Sequence, residues 1–291
     1  MIIIKLSYGM GNQMFQYAFG KRIEHETDYE VKYDISWYDK AKTSEYRPIQ
    51  LNHFNCQLNI ATKSELNHFF PHTKWCEIFN KLKKQLFPYY KQNIIYEKHK
   101  YNFDCNLLKV KDNTYYAGFW QHELYFKSIQ NNLKKEFVIN SIMDSSNIKW
   151  NEKIKMNYNQ SVCLHVRRGD YVGNTAFDLN GIEYYKAAIK KIYLLVKNPI
   201  FFIFSNDFDW VLKHFSGSNF LFVNVNNENT GYFDFELMNN CKHFIISNSS
   251  FSWWAAWLNN GEQQIKIAPK KWVNFAGVKS IDIIPNDWNT I

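Results

Sequence analysis

Between residues 161 and 268 short apolar runs alternate with longer amphipathic stretches, and this rhythm leaves few folds open to the chain. Runs at 161–166, 200–204, 220–225, 243–246 and 264–268 have the length of strands. Stretches at about 181–197, 208–215, 232–240 and 250–258 carry apolar residues at helical spacing. Strands that are apolar on both faces must be covered on both. A helix between each pair of strands supplies the crossover that brings the chain back parallel. The C-terminal half is therefore expected to be a doubly wound parallel sheet with helices on both faces.

The first half opens in a similar way. Residues 2–6 read as a buried strand, Ser7-Tyr8-Gly9-Met10-Gly11-Asn12 as a loop and 13–26 as a helix, with Met14, Phe15, Ala18, Phe19 and Ile23 on one face. The loop lacks a full Gly-x-Gly-x-x-Gly pattern because Met14 stands third, so it is either a tight packing turn or a helix N-terminus serving a sugar or phosphate beside Asn12 and Gln13. A second strand is expected at 30–34. Another is expected over Thr114–Trp120, with Gln121, His122 and Glu123 at its carboxyl end. Residues 35–112 are polar and show only short amphipathic pieces at 63–70 and 75–87. There Lys81, Lys83 and Lys84 beside Leu82, Leu86 and Phe87 read either as a solvated helix face or as a membrane contact. The segment 140–160 shows no sustained period, which puts a domain boundary there, giving α/β domains 1–150 and 151–291.

In a parallel sheet the loops after the carboxyl ends of the strands line one crevice. In the second half those loops are His165-Val166-Arg167-Arg168-Gly169-Asp170, Ser205-Asn206-Asp207 and Ser247-Asn248-Ser249-Ser250. Two adjacent guanidinium groups just past a strand offer planar forks of donors suited to a diphosphate, although Arg167 or Arg168 could equally form an ion pair with Asp170. Ser249 and Ser250 precede the apolar run 251–258, as an ordinary N-cap or as a phosphate cradle. Asp207 is a helix cap or a ligand contact. Asp234 and Glu236 either accept hydrogen bonds from a guanine edge or favour the positive end of their own helix. Trp253, Trp254 and Trp257 at helical spacing read as core.

Composition narrows the field. With 46% hydrophobic and 21% charged residues the chain is an ordinary globular protein, and its 291 residues hold one large or two modest domains. The formal charge of +8 suits an anionic ligand, but lysine is spread along the chain, which argues against nucleic acid. The five cysteines, Cys56, Cys76, Cys105, Cys163 and Cys241, show no paired or zinc-ligand spacing, so a reducing compartment and no structural metal are expected. No apolar stretch approaches the roughly 20 residues that span a bilayer. The protein is expected to be cytoplasmic, with peripheral contact to the inner face of the membrane through basic residues.

His165-Val166-Arg167-Arg168-Gly169-Asp170-Tyr171 resembles the His-x-Arg-Arg-x-Asp motif of α1,2-, α1,6- and protein O-fucosyltransferases. Gly9 to Ala18, Phe204 to Asp207 and Cys241-Lys242-His243 leading into Ser247 to Trp254 are similar, in order and spacing, to the bacterial α1,2-fucosyltransferases of glycosyltransferase family 11. The resemblance runs from residue 1 to about 272. It implies a GT-B architecture, an α/β fold in which two Rossmann-like domains face across a cleft. The N-terminal domain would bind the acceptor and the C-terminal domain GDP-fucose, with the last segment packing back on the N-terminal half. It further implies inverting transfer of L-fucose from GDP-β-L-fucose to O2 of a terminal galactose on an oligosaccharide or lipid-linked glycan, in O-antigen or capsule synthesis, with no cofactor and no required metal.

By the same resemblance Arg167 binds the β-phosphate and stabilises leaving GDP, and His165 and Arg168 shape the donor pocket with Asn206, Asp207 and Phe251. Ser249 and Ser250 hold phosphate, and Asp234 or Glu236 reaches guanine. Gly11, Asn12, Gln13, Gln121 and Glu123 are the acceptor or cleft candidates. Asp170 is the first candidate base, with Glu123 and Asp178 behind it. The glutamate that follows the motif in α1,6 relatives is Thr175 here, which leaves the base to these carboxylates, and Asp170 could equally serve only to orient an arginine. A related transferase of another linkage and a non-catalytic sugar-nucleotide or glycan binder are the competing expectations.

Overall fold

Three consecutive isoleucines, Ile2, Ile3 and Ile4, have no exposed surface, and they begin the central strand of the first of two units. The structure, a computed structural model, describes residues 1–40, 47–70, 87–98, 101–259, 261–275 and 282–291, and these divide into Met1–Val138 and Ile139–Ile291. The lysine-rich stretch Lys81 to Leu86 lies outside the described residues.

Among the described residues the first unit has four strands: β1 (Ile2–Lys5), β2 (Val31–Asp34), β3 (Ile94–Tyr96) and β4 (Thr114–Ala117). They pair in parallel in the order β2-β1-β4-β3. Its helices are α1 (Met10–Glu26), α2 (Ser36–Lys40), α3 (Lys63–Phe69) and α4 (Gln130–Glu136). Helix α1 begins at Met10, earlier than its apolar stripe suggests, because extended Gly9 serves as N-cap. Gly11, Asn12 and Gln13 therefore belong to its first turn. At Gly20 a Cβ would stand 2.7 Å from the Tyr33 hydroxyl, so glycine is what lets α1 lie close on β2. Strand β4 ends at Ala117, short of the expected Trp120. The Glu97 carboxylate accepts the Phe119 N–H at 2.7 Å and the Trp120 N–H at 3.2 Å, drawing the chain out of the sheet.

The second unit carries β5 (Ser161–Val166), β6 (Ile200–Ser205), β7 (Phe220–Phe222), β8 (His243–Ile245), β9 (Lys266–Ala268) and β10 (Asn289–Thr290). The order is β10-β9-β8-β5-β6-β7 and every pairing is parallel. Its helices are α5 (Ser145–Met156), α6 (Ile182–Leu195), α7 (Phe208–His214), α8 (Gly231–Asn239) and α9 (Ser250–Leu258). Alternation along β5 divides the two faces. Val162, Leu164 and Val166 pack with Tyr185, Ala188 and Ile192 of α6 and Val211 of α7. On the other face the His165 ring lies 5.8 Å from Phe251 of α9, and Phe202 lies 6.4 Å from Trp150 of α5. The sheet is doubly wound, as the strand and helix rhythm predicts.

One expectation about the start of this unit needs correction. Helix α5 fills the segment expected to be a boundary, and the units divide just after Val138. Asp144 caps that helix by accepting the N–H groups of Ser146 and Asn147. The described part of the last segment adds to the second unit. Strand β10 extends this sheet, and the Trp253 indole donates to Ile283 O at 2.8 Å.

Candidate active site

The strand order reverses direction between β5 and β8, and their carboxyl ends form the switch point at which open parallel sheets bind ligands. Leu164 stands opposite Ile245, so the chains leaving the sheet, Arg167-Arg168-Gly169 and Ser247-Asn248-Ser249, start side by side. One buried contact joins them: His165 Nδ1 lies 3.0 Å from Ser247 Oγ. Burial, with Arg167 nearby, pushes the His165 pKa down to about 3, so the ring is neutral at ordinary pH.

The two arginines are held differently. Arg168 is fixed on three sides. Its N–H donates to Asn206 Oδ1 at 2.9 Å, its Nε donates to Asp207 Oδ2 at 3.2 Å, and its guanidinium lies 4.6 Å from the centre of the Trp210 ring. Asp207 also caps α7 by accepting the Trp210 N–H at 3.1 Å, so cap and arginine partner are one residue. A side chain at position 169 would run into the Asn206 amide, so glycine is required for the turn to close on that asparagine. Arg167 instead bonds the Asp170 carboxylate at 2.8 Å and lies 5.5 Å from the Tyr171 ring. The Asp170 side chain is 43% exposed, so this is a surface ion pair worth under about 1 kcal/mol, which a diphosphate can displace.

Ser249 occupies the N-cap position of α9, yet its side chain makes no capping bond. With Ser250 it borders a helix N-terminus whose first N–H groups have no partner within the helix. Phe251 lies between the rings of His165 and Phe235, each 5.8 Å away, and forms an apolar wall. Asn248 anchors the loop beyond Gly169, donating to Phe177 O and Trp272 O and accepting from Asn180. Asp178 accepts the Gly173 N–H at 3.0 Å.

Asp234, in the first turn of α8, accepts from Asn226 Nδ2 at 2.7 Å, and burial pushes its pKa up to about 7. Asn226 exchanges two amide bonds with Asn147, which also donates to Asp144. Glu236, on the same helix, is raised by burial and feels Lys155 of α5. Trp210 and Ser247 complete the site, but nothing in their spacing distinguishes them from a core ring and a loop hydroxyl.

The acceptor candidates gather in the first unit, at the ends of β1 and β4, which is the switch point of that sheet. Asn12 Oδ1 accepts from Gln121 Nε2 at 2.6 Å. Gln13 is fully buried and tied to backbone, donating to Tyr8 O and Pro48 O and accepting from Gln50 N–H. It is a loop strut. Gly11 is buried in the first turn of α1, and Glu123 pairs with Lys127 at 3.1 Å. Among the described residues no group of three His, Cys, Asp or Glu side chains gathers as a metal site, and no helix is long and apolar enough to cross a membrane.

The family model described as Glycosyl transferase family 11 matches residues 1–291. An α1,2-colitosyltransferase of Escherichia coli is 32% identical over 99% of this chain and 97% of its own. The O-antigen biosynthesis glycosyltransferase WbnK, also of Escherichia coli, is 30% identical over 97% and 98%. Among solved structures, the NodZ α1,6-fucosyltransferase soaked with GDP-fucose superposes with a TM-score of 0.50 at 13% identity, covering 88% of this chain and 91% of that one. At that identity the likeness bears on the fold, a mixed α/β chain of parallel-sheet units such as GT-B enzymes have.

Proposed function

The chain belongs to glycosyl transferase family 11, and from that membership and the strand ends of its second unit we propose that it transfers L-fucose from GDP-β-L-fucose, with inversion, to O2 of a terminal galactose. One observation carries the reading. The Arg167-Arg168 turn and the N-terminus of α9, with two uncommitted serines, leave the sheet side by side at its switch point. Charge accumulates on the diphosphate as the sugar departs, and guanidinium forks with helix N–H groups are fixed donors for it. Arg168 is preset by Asp207 and Trp210, whereas Arg167 exchanges Asp170 for phosphate. That exchange releases the Asp170 carboxylate to take the acceptor proton. His165 stays neutral and donates or accepts at the β-phosphate edge, and Asp234 accepts from guanine. The positive charge these groups supply is enough for the leaving group, so transfer is expected to survive EDTA.

The acceptor is a galactose-terminated oligosaccharide or lipid-linked glycan in a surface polysaccharide, a setting supported by one relative named for O-antigen synthesis. A second donor has a specific observation behind it, because one relative is named an α1,2-colitosyltransferase. The test supplies GDP-fucose and GDP-colitose in parallel with lactose and EDTA and resolves product linkage. Fucose on O2 of galactose supports the reading. Colitose alone would reassign the donor, and transfer of neither sugar would count against the activity.

A further inference from the structure

We propose that Tyr8, Trp37 and Phe119 form a stacking floor for a galactoside ring, with the Gln121 side-chain oxygen as its hydrogen-bond anchor, making the β1 and β4 loop ends of the first unit the acceptor subsite. The inference rests on the reading of the chain as a galactoside transferase and names the residues that would hold the acceptor.

Tyr8 has φ of 65°, a left-handed conformation that a bulky aromatic residue adopts only under constraint. The constraint is visible: its carbonyl oxygen accepts from Gln13 Nε2 at 2.9 Å and from Tyr38 Oη at 3.0 Å. Glycine would fit this backbone without strain. A tyrosine held there is a side chain retained for what its ring does. The ring is 41% exposed and packs at 5.0 Å on Trp37 and 5.3 Å on Phe119, two half-buried rings from separate segments. The opposite loop repeats the device. Trp120 has φ of 55°, and Glu97 fixes the N–H groups of both Phe119 and Trp120. Two strained aromatic residues thus flank the switch point of one sheet, where such folds bind ligands.

A polar observation points the same way. Gln121 is 6% exposed, its Nε2 donates to Asn12, and its Oε1 is buried with no partner. A buried amide oxygen left unpaired is costly, and a ligand hydroxyl at this loop would satisfy it. Aromatic faces are negative and attract the C–H groups of a sugar's apolar face. Galactose, whose axial 4-hydroxyl leaves one face of C–H groups continuous, suits such a floor and presents hydroxyls at its rim.

The test compares wild type with Tyr8→Gly, Tyr8→Phe and Trp37→Ala, measuring thermal midpoint, KM for donor and for acceptor, and binding of methyl β-galactoside by saturation-transfer NMR. Tyr8→Gly relieves the left-handed backbone, so its midpoint should hold or rise. Its acceptor KM should increase about tenfold or more, near 1.4 kcal/mol, with donor KM unchanged. Tyr8→Phe keeps an aromatic face and should recover the acceptor KM lost in Tyr8→Gly, and Trp37→Ala should weaken galactoside binding with donor KM unchanged. Unchanged acceptor KM and galactoside binding in a folded Tyr8→Gly would overturn the proposal. Wild type that binds GDP-fucose but neither binds nor fucosylates any galactoside would instead overturn the underlying reading, and the floor with it.

Discussion

Arg167 and Arg168 are neighbours in sequence, yet their bonds give them separate work. Arg168 is built into the scaffold by Asp207, Asn206 and Trp210, and Arg167 rests on an exposed carboxylate. Arg167→Ala should therefore cut transfer by about 10²–10³-fold, the cost of one fixed donor at developing charge, with no change in thermal midpoint. Arg168→Ala should lower both, because it strips a partner from the α7 cap. Equal midpoints for the two variants would contradict this division. Asp234 yields a pH prediction. Burial raises its pKa to about 7 in the folded chain from 3.8 in the unfolded one. The folded state thus keeps a proton that the unfolded state releases, and this group's stabilisation, complete below pH 3.8, is lost as pH rises through about 7. Relative to Asp234→Asn, wild type should lose stability over that window, as urea unfolding at several pH values would reveal. If Asp234 accepts from guanine, GDP binding near pH 6 should release a proton, and the binding heat should vary with buffer ionisation enthalpy.

At the scale of elements, the legible parts are those whose apolar periodicity is unbroken. Strands β5, β6 and β8 and helix α9 fall where their residues put them, and the polar clusters at the strand ends follow from parallel order alone. Helix α5 was hidden by its own packing, because its buried face includes Asn147, which bonds Asn226, and a polar residue inward breaks the pattern. Its N-cap, Asp144, is the local signal that could have marked its start. Strand β3 is three residues long and sits in a polar context, so no period could develop. The early end of β4 depends on a carboxylate from a distant segment, Glu97, which no local signal records. Two variants test elements. Gly169→Ala should push the arginine turn off Asn206, lowering transfer with a modest loss of stability, and full activity would refute the close approach. Trp253→Ala removes a fully buried ring that also bonds Ile283, and should cost about 3–5 kcal/mol in chemical denaturation.

For the whole molecule, each unit repeats one plan: a parallel sheet with a switch point, and polar side chains gathered at the carboxyl ends. In the second unit those ends offer paired guanidinium groups and a helix N-terminus. In the first they offer amides and aromatic rings. That difference in chemistry, guanidinium groups in one and amides with aromatic rings in the other, is what family membership alone would not have assigned to particular residues. It was partly legible beforehand. The arginine motif announces itself by concentrated charge, whereas Tyr8 stands just before the Gly9 to Ala18 stretch and Trp37 outside every motif, and the two become a surface only through the fold. The most direct test is calorimetric titration of GDP into wild type and Arg167→Ala. The account predicts one site in wild type and affinity weakened about tenfold or more in the variant at equal thermal midpoint, since a charged hydrogen bond contributes about 1.5–3 kcal/mol. Equal affinity in the two proteins would contradict it, because the diphosphate would then be held elsewhere.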